Sequence, residues 1–138
     1  MIVGRQILTN LHYPNRVADL DIGRGEIIVY TRHGHANQIF NFHAIEDTQA
    51  QISIRINDKD LYAVSNNPSS GSNIQALEGS ASLYDVHQRP NSVVKLSVKS
   101  SNGTALFWTL EGDALKTKVT LRPDTGNANQ FWALSAPS

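Results

Sequence analysis

The stretch Gly34-His35-Ala36-Asn37-Gln38-Ile39-Phe40 returns near the end of the chain as Gly126-Asn127-Ala128-Asn129-Gln130-Phe131-Trp132. The two copies are 92 residues apart, which is twice 46, and the chain has 138 residues, which is three times 46. This arithmetic predicts a third copy near the middle, and a degenerate one stands at Ser82-Leu83-Tyr84. Repetition at a fixed period has to be settled before any other pattern. We therefore divide the chain into three repeats, at about 1–47, 48–91 and 92–138.

Apolar residues within each third come in four short runs, separated by Gly, Asn, Pro and Ser. Ile52, Ile54 and Ile56 alternate with Ser53 and Arg55, which is the pattern of a half-buried strand. No window keeps a helical period for long enough to predict a helix of useful length. The predicted strands cover residues 6–11, 16–22, 26–30, 38–45, 51–56, 60–64, 73–77, 82–87, 93–98, 105–110, 118–122 and 130–135.

Three groups of four strands predict one closed all-β structure, because a four-strand unit cannot bury its own apolar face. A β-trefoil with pseudo-threefold symmetry satisfies this requirement, and closure also removes exposed sheet edges. A two-sheet sandwich is the alternative, but it does not account for a threefold period. The segment from Asn66 to Gly71 has the composition of an inter-domain hinge. Since one period continues on both sides of it, we expect a long loop inside a single domain covering residues 1–138.

Composition excludes several classes of protein. The 12 basic and 12 acidic side chains cancel, so no net charge attracts nucleic acid or an anionic membrane surface. Cysteine is absent, so neither a disulfide framework nor a thiolate metal site is possible. No apolar run reaches the length of a membrane span, and the first residues lack the pattern of a secretory signal. From these features we expect a cytoplasmic protein without membrane insertion.

The repeated Gln-x-aromatic motif has a structural interpretation. The aromatic residues Phe40, Tyr84 and Trp132 would place three rings around the threefold axis of a small core. The amides of Gln38 and Gln130 can satisfy backbone groups that would otherwise cost about 1–3 kcal/mol each when buried. Taken alone, the motif predicts a trefoil and not a ligand.

Three segments of the first third, Tyr13 to Leu20, Ile27 to Tyr30 and His33 to Gln38, carry a family resemblance. They resemble the first repeat of the ricin B-chain-like (R-type) trefoil lectins, in particular the small cysteine-free fungal members. The resemblance is good in the first third, moderate in the last and weak in the middle. It implies a β-trefoil lectin for galactose or N-acetylgalactosamine-type glycans, acting in defence or toxicity by recognising foreign glycans.

The resemblance also implies a sugar site. Asp19 matches a carboxylate that accepts hydrogen bonds from two neighbouring hydroxyls, and Asn37 matches an amide that donates to one of them. Tyr30 and His33 are the candidates for contact with the sugar ring. Gln38 would steady Asp19 or the loop from behind. No metal, cofactor or nucleic acid is implied, and the expected partners are glycans of glycoproteins or glycolipids.

The physical chemistry of sugar binding is consistent with such a site, independently of the resemblance. A carboxylate accepts two hydroxyl donors with charge-assisted strength, and a flat side chain covers the C–H face of a pyranose. Such shallow sites are weak, with dissociation constants of roughly 1 mM, or about 4 kcal/mol. Useful avidity needs several sites, from other repeats or from a homodimer.

The later repeats depart from this pattern. In the last third, Phe107 or Trp108 falls where Asp19 falls in the first, and a ring cannot replace a carboxylate as acceptor. In the middle third, Ala81 and Ser82 occupy the Asn-Gln positions. We therefore predict one main sugar site, in the first repeat. Phe40 stands where the family usually has Trp, which is a mild change in packing.

Each candidate residue has a plainer alternative. Asp19 can cap a turn, and Asn37 can close the loop that begins at His33. His33 and His35 form a His-x-His pair that could hold zinc, but a catalytic zinc needs a third ligand and none is evident in the sequence. A solvated pair of loop histidines is the better interpretation. His43 and His87 occupy matching positions in their repeats, which favours a structural role.

Enzymes are not indicated, because the sequence contains no nucleophile elbow, P-loop, catalytic cysteine or His-Glu-x-x-His motif. The serious alternative is a trefoil protease inhibitor, acting through the loop from Asn66 to Gly71 or from Gln88 to Asn91, with its Arg89. The combination of Asp19, His33 and Asn37 favours the lectin, because an inhibitor does not need it. A third alternative is an interaction trefoil without any sugar site.

Overall fold

The computed structural model describes residues 2–137 and places twelve strands in them. Two 3-10 turns, Ala36–Gln38 and Ala128–Gln130, precede the last strand of the first and third groups. No helix in residues 2–137 is long and apolar enough to cross a membrane. The strands are β1 (Gly4–Asn10), β2 (Val17–Asp21), β3 (Glu26–Tyr30), β4 (Phe40–Glu46), β5 (Gln49–Ile56), β6 (Lys59–Val64), β7 (Gln75–Leu77), β8 (Tyr84–Arg89), β9 (Val93–Lys99), β10 (Ala105–Thr109), β11 (Thr120–Pro123) and β12 (Trp132–Ser135).

Six of the strands form a closed barrel. The antiparallel pairs run from β1 to β4, β5, β8, β9 and β12, and β12 pairs with β1 again. Leu8, Ile52 and Leu96 lie at matching places on β1, β5 and β9, and all three are completely buried. The alternation seen in the sequence therefore points every second side chain into one shared core.

The other six strands form three hairpins, β2–β3, β6–β7 and β10–β11, which cap one end of the barrel. The hairpins meet in a ring of three single bridges: Ile28 to Lys118, Thr120 to Asn73, and Gln75 to Glu26. Each bridge repeats the one before it about the pseudo-threefold axis. This is a β-trefoil, and the predicted fold class is confirmed.

Large aromatic rings fill much of the core. Phe40, Tyr84 and Trp132, predicted from the motif, are completely buried, and Trp108 is buried among them. The ring of Trp108 lies edge-on to Tyr84 at 5.4 Å and to Phe40 at 6.5 Å between centroids. The Trp132 indole Nε1–H donates to the Trp108 carbonyl at 3.1 Å. Trp108 therefore contacts each of the three motif aromatics.

Strand boundaries differ from the prediction at the Gln-x-aromatic motifs. Gln38 and Gln130 end the two 3-10 turns, and β4 and β12 begin only at the aromatic residue. The turn forms because the Ile39 N–H donates to the Ala36 carbonyl at 3.1 Å, and the later copy is bonded in the same way. This turn directs each glutamine inward instead of along a strand.

The loop from Asn66 to Gly71 is anchored to the third group of strands. The Gly71 N–H donates to the Leu121 carbonyl at 2.7 Å, and the Leu121 N–H donates to the Ser72 carbonyl at 2.9 Å. His43 and His87 bond to Ser53 and Ser97 on the next strand, at 2.7 and 2.8 Å. Both histidines therefore have the matching structural contacts that their positions predicted.

Candidate carbohydrate-binding site

A shallow pocket of about 200 Å³, the Asp19 pocket, opens beside the β2–β3 hairpin. β2 contributes Asp19, β3 contributes Tyr30, and the loop that follows contributes His33 and Asn37. These are four of the five residues predicted from the sequence, and the fifth, Gln38, lies directly behind them. The remaining lining residues are Leu20, Asp21, Ile22, Ile28 and Lys116.

Asp19 is the buried acid of the pocket, with 4% of its surface exposed. Side chains alternate between the two faces of a strand, and Ala18 and Leu20 face the core. The side chain of Asp19 therefore lies on the opposite face of β2. Oδ1 accepts from Asn37 Nδ2 at 2.8 Å, and Oδ2 accepts from Gln38 Nε2 at 2.9 Å. Each carboxylate oxygen thus has one amide donor and keeps lone-pair capacity for another.

Gln38 connects the carboxylate to the loop. Its Nε2 also donates to the Thr31 carbonyl at 2.9 Å, while Oε1 accepts from the backbone N–H groups of His33 at 2.8 Å and Gly34 at 3.0 Å. The side chain is completely buried, and its two donors and two acceptor positions are all used. Gln38 therefore steadies both Asp19 and the loop.

Gln130 repeats this arrangement in the third group. Its Oε1 accepts from the Thr125 N–H at 3.0 Å, and its Nε2 donates to the Pro123 carbonyl at 2.9 Å and to Thr109 Oγ1 at 3.1 Å. Thr109 thus receives the bond that Asp19 receives from Gln38. The amide is a folding device in both repeats, and only the first repeat adds a carboxylate to it.

The sequence alignment at β10 was therefore wrong. Register settles the matching positions, since Asp19 lies opposite Ile28 and Thr109 lies opposite Thr120. Phe107 and Trp108 stand two residues and one residue, respectively, before Thr109, the true counterpart of Asp19. The β10–β11 connection is longer than the β2–β3 connection, which shifts β10 relative to a constant repeat.

The middle group has an apolar residue at this place. Val64 lies opposite Gln75, which is the match of Ile28 in the ring of bridges, so Val64 is the counterpart of Asp19. It is buried, with 2% of its surface exposed. Neither Val64 nor the Thr109 hydroxyl offers the charged double acceptor that Asp19 provides.

The amide of Asn37 is oriented by Asp19. Nδ2 must face the carboxylate, because an amide oxygen there would meet a second acceptor. Its other hydrogen faces the Leu20 carbonyl at a long 3.4 Å. The resemblance implied that Asn37 donates to a sugar hydroxyl, but here its donors lie against protein acceptors, and its oxygen accepts no hydrogen bond from residues 2–137.

Two rings stand at one side of the pocket. Tyr30 and His33 are 6.2 Å apart between centroids, and His35 stacks on His33 at 4.4 Å. The His35 N–H donates to His33 Nδ1 at 3.0 Å, so a neutral His33 carries its proton on Nε2. That nitrogen lies 3.6 Å from Asp19 Oδ2. His33 therefore presents a donor beside the carboxylate.

The electrostatics of the pocket concentrate on Asp19. Burial raises the pKa of this carboxyl above its ordinary value of 3.8, and the nearby charge of Asp21 acts in the same direction. Hydrogen bonds from Gln38 and Asn37 and the charge of His33 oppose this shift in the pKa. A raised pKa means that desolvation outweighs these contacts, so the carboxylate has unused capacity to accept hydrogen bonds.

Sequence reasoning missed Lys116. It comes from the loop before β11, and its backbone N–H donates to the Val29 carbonyl at 2.9 Å, which brings its side chain to the Asp19 pocket. The residue has a left-handed φ of 68°, which is unfavourable for any residue but glycine and asparagine. Its ammonium has no hydrogen-bond or ion-pair partner within the described part of the chain. No local sequence motif marks Lys116 as a site residue. It reaches the pocket only because the hairpins of the cap pack against each other.

The loops proposed for an inhibitor are held in place. Besides the anchoring of Gly71, the Arg89 guanidinium lies over the Phe131 ring at 5.0 Å, and Arg89 pairs with Val93 in the β8–β9 hairpin. The turn between those two residues has left-handed Asn91 and Ser92. Arg89 therefore belongs to a short hairpin and packs against the protein's own surface.

No protein-family model matches the sequence, and no curated protein sequence matches it. Solved structures do. The designed three-fold symmetric protein ThreeFoil has a TM-score of 0.77 and 23% identity, over 95% of this chain and 97% of its own. The Macrolepiota procera ricin B-like lectin, solved in complex with lactose, has a TM-score of 0.78 and 20% identity, over 99% of each chain.

The Rhizoctonia solani agglutinin is similar as well, with a TM-score of 0.74 and 19% identity, over 99% of this chain and 96% of its own. At identities this low the likeness is one of fold. The chain has the β-trefoil architecture that ricin B-like lectins have, as the resemblance in the first third predicted.

Proposed function

We propose that the protein is a carbohydrate-binding lectin of the ricin B-like kind, and that it binds galactose- or N-acetylgalactosamine-type glycans in the Asp19 pocket. One observation carries the proposal: a buried carboxylate, fixed by two amides, opens onto a shallow pocket lined by two rings. Because this carboxylate is already held in one orientation, its side chain loses little further conformational entropy when a sugar binds.

The carboxylate suits a pair of neighbouring hydroxyls. Asn37 and Gln38 each occupy one acceptor position of Asp19, one on Oδ1 and one on Oδ2. Two acceptor positions remain, one on each oxygen, and vicinal hydroxyls of a pyranose can donate to both. Charge-assisted hydrogen bonds of this kind are the strongest that a neutral sugar can make.

The rings give the pocket its second element. Tyr30 supplies an aromatic surface for the weakly apolar C–H face of a sugar. His33 supplies the Nε2–H donor, 3.6 Å from Asp19 Oδ2, for a hydroxyl oxygen that the carboxylate cannot serve. Donor and double acceptor together discriminate between hydroxyl arrangements, which is the basis of sugar specificity.

The comparisons support the galactoside part of the proposal, since the structurally similar Macrolepiota lectin was solved with lactose. Only the first of the three repeats places a carboxylate at this position. Avidity for a multivalent glycan surface then comes from a second copy of the chain. Recognition of foreign glycans, in defence or toxicity, is the biological role that fits such a lectin.

The test is calorimetric titration of the protein with galactose, N-acetylgalactosamine and lactose, and with glucose as a control sugar that is not a galactoside. We expect dissociation constants of about 1 mM for the galactosides and weaker binding of glucose. Asp19→Ala should abolish binding, whereas Asp47→Ala, in an exposed turn between β4 and β5, should not change it. Near-ultraviolet circular dichroism establishes that both variants are folded. Galactoside binding by folded Asp19→Ala would overturn the site, and no binding by the wild type in a glycan array would overturn the function.

A further inference from the structure

A second cavity, of about 300 Å³, lies on the other side of the first 3-10 turn. We call it the Arg5 cavity. Ala36 lines this cavity while the next residue, Asn37, lines the Asp19 pocket. The barrel strands β1, β4 and β5 and the start of β6 form its walls. The side chains that line it include Arg5, Ile39, Asn41, Arg55 and Asp60.

The polar groups of the Arg5 cavity are only partly matched by the protein. Arg5 and Asn41 lie directly opposite each other on β1 and β4, yet neither side chain has a hydrogen-bond or ion-pair partner within residues 2–137. Arg55 Nη1 lies 3.1 Å from Asp60 Oδ1. Two guanidinium groups and one carboxylate leave the cavity with one uncompensated positive charge.

The pseudo-threefold symmetry shows what the fold requires at this place. The match of the Arg5–Asn41 pair between β5 and β8 is Gln49 and Asp85, which bond to each other at 2.9 Å. The match between β9 and β12 is Val93 opposite Ala133, an apolar pair. The trefoil is thus built with a satisfied or an apolar pair at the other two junctions, and the unmatched arginine is particular to the first.

The position of Arg55 leads to the same conclusion, from the register of β4 with β5 and of β12 with β1. Asn41 lies opposite Ser53, and Ala133 lies opposite Thr9, so the residues two positions later in the chain, Arg55 and Leu11, occupy matching sites. Leu11 lines the matching cavity together with Arg89, Pro90, Val93 and Phe131, and the Arg89 guanidinium there lies over the Phe131 ring at 5.0 Å. Arginine in place of Val93 and of Leu11 therefore puts two guanidinium groups at positions where the matching cavity has apolar side chains.

We propose that the Arg5 cavity binds an acidic saccharide unit, a pyranose carrying a carboxylate or a sulfate. The Arg5 guanidinium, a planar fork of donors, pairs with the acid group in the bidentate manner that arginine favours. Asn41 supplies an amide for a ring hydroxyl, and Ile39 supplies an apolar surface for the sugar ring. Asp60 holds Arg55 in place beside the same acid group.

Titration of the ¹⁵N-labelled protein with sodium glucuronate and with galactose 6-sulfate, at constant ionic strength, tests this proposal. We expect chemical-shift changes at the amides of residues 4–6, 40–42 and 53–55, with glucose and galactose leaving these amides unmoved. Arg5→Gln should weaken glucuronate binding at least about tenfold, because it replaces a charged, bidentate contact with a neutral one. Lys99→Gln, the same change of charge at the place that matches Arg55 in the third group of strands, should leave glucuronate affinity unchanged.

The outcomes separate this inference from the proposed function. Asp19→Ala should retain the glucuronate response, and Arg5→Gln should retain galactose binding, so either site can fail alone. Glucuronate binding undiminished in Arg5→Gln, or no shifts around the cavity, would overturn the proposal. Sodium sulfate included as a bare anion must bind more weakly than galactose 6-sulfate, since equal binding would show an anion site without a saccharide.

Discussion

Gln38 Nε2 donates to Asp19 Oδ2 at 2.9 Å, so the amide that stabilises the loop of the trefoil also holds the candidate sugar-binding carboxylate. In the third repeat the same amide position, Gln130, donates to the Thr109 hydroxyl at 3.1 Å. The two contacts have the same geometry and a different acceptor. Comparison of the two glutamines therefore separates what serves stability from what serves binding.

Replacement of the glutamines tests this division. Gln38→Ala and Gln130→Ala each leave a part-buried backbone carbonyl and a loop N–H group without a partner, so both should lower the free energy of unfolding by about 2–4 kcal/mol. Only Gln38→Ala should also weaken galactoside binding, because only Gln38 holds a carboxylate. Urea unfolding and calorimetry measure the two effects. Equal loss of sugar affinity in both variants would mean that the effect is a general loosening of the fold.

Sugar binding should depend on pH through Asp19. Burial raises the pKa of Asp19 above 3.8, and the carboxyl accepts two hydroxyls only when ionised. Affinity should therefore fall as the pH is lowered, with a midpoint above pH 3.8. Titration at pH values from about 7 to about 4, where the fold is checked by circular dichroism, measures it. A flat affinity down to the ordinary aspartate pKa would contradict the assignment.

The same shift in pKa has a consequence for stability with the opposite sign. A pKa raised in the folded state means that the native protein takes up this proton more readily than the unfolded chain, so Asp19 ionisation opposes folding at neutral pH. That cost is relieved as the pH falls through the raised pKa.

His33→Gln removes a charge that lowers the Asp19 pKa, and should move the midpoint of sugar binding to higher pH.

Phe40→Ala should destabilise the protein without removing the binding groups. The ring is completely buried and packs edge-on against Trp108 at 6.5 Å. Loss of a buried phenylalanine costs about 3–5 kcal/mol, since the cavity left behind closes only in part. Urea denaturation measures the loss, and Ile45→Ala, at an exposed residue of β4, is the control. A change below about 1 kcal/mol would mean that the ring does not support the core.

Lys116→Ala should weaken galactoside binding about two- to fivefold, because a single exposed charged donor contributes about 0.5–1 kcal/mol. Lys116→Gly removes the same ammonium and relaxes the left-handed backbone at φ 68°. The two variants should therefore have equal sugar affinity but different thermal stability. Unchanged affinity in both would remove Lys116 from the site.

A large part of this molecule could be predicted from its sequence. The 46-residue spacing and the short alternating runs predict the trefoil, because each property is local or depends on regular spacing alone. Asp19, Asn37 and Gln38 also lie close enough in sequence for one hairpin and its loop to bring them together. Their proximity follows from the repeat, and it holds at 2.8 and 2.9 Å in the structure.

Two other features depended on the tertiary structure. Comparison of the repeats in the sequence matched Phe107 or Trp108 to Asp19, whereas strand register matches Thr109 to it, because loop length varies between repeats while hydrogen-bonded register does not. Lys116 reaches the Asp19 pocket from the last third of the chain, and Arg5 meets Asn41 across two barrel strands. The repeated β unit and the acid-amide pair within one copy follow from the sequence alone. Only the closed barrel and its cap decided which distant side chains join them, because such contacts arise from the packing of the repeats and leave no local pattern in the chain.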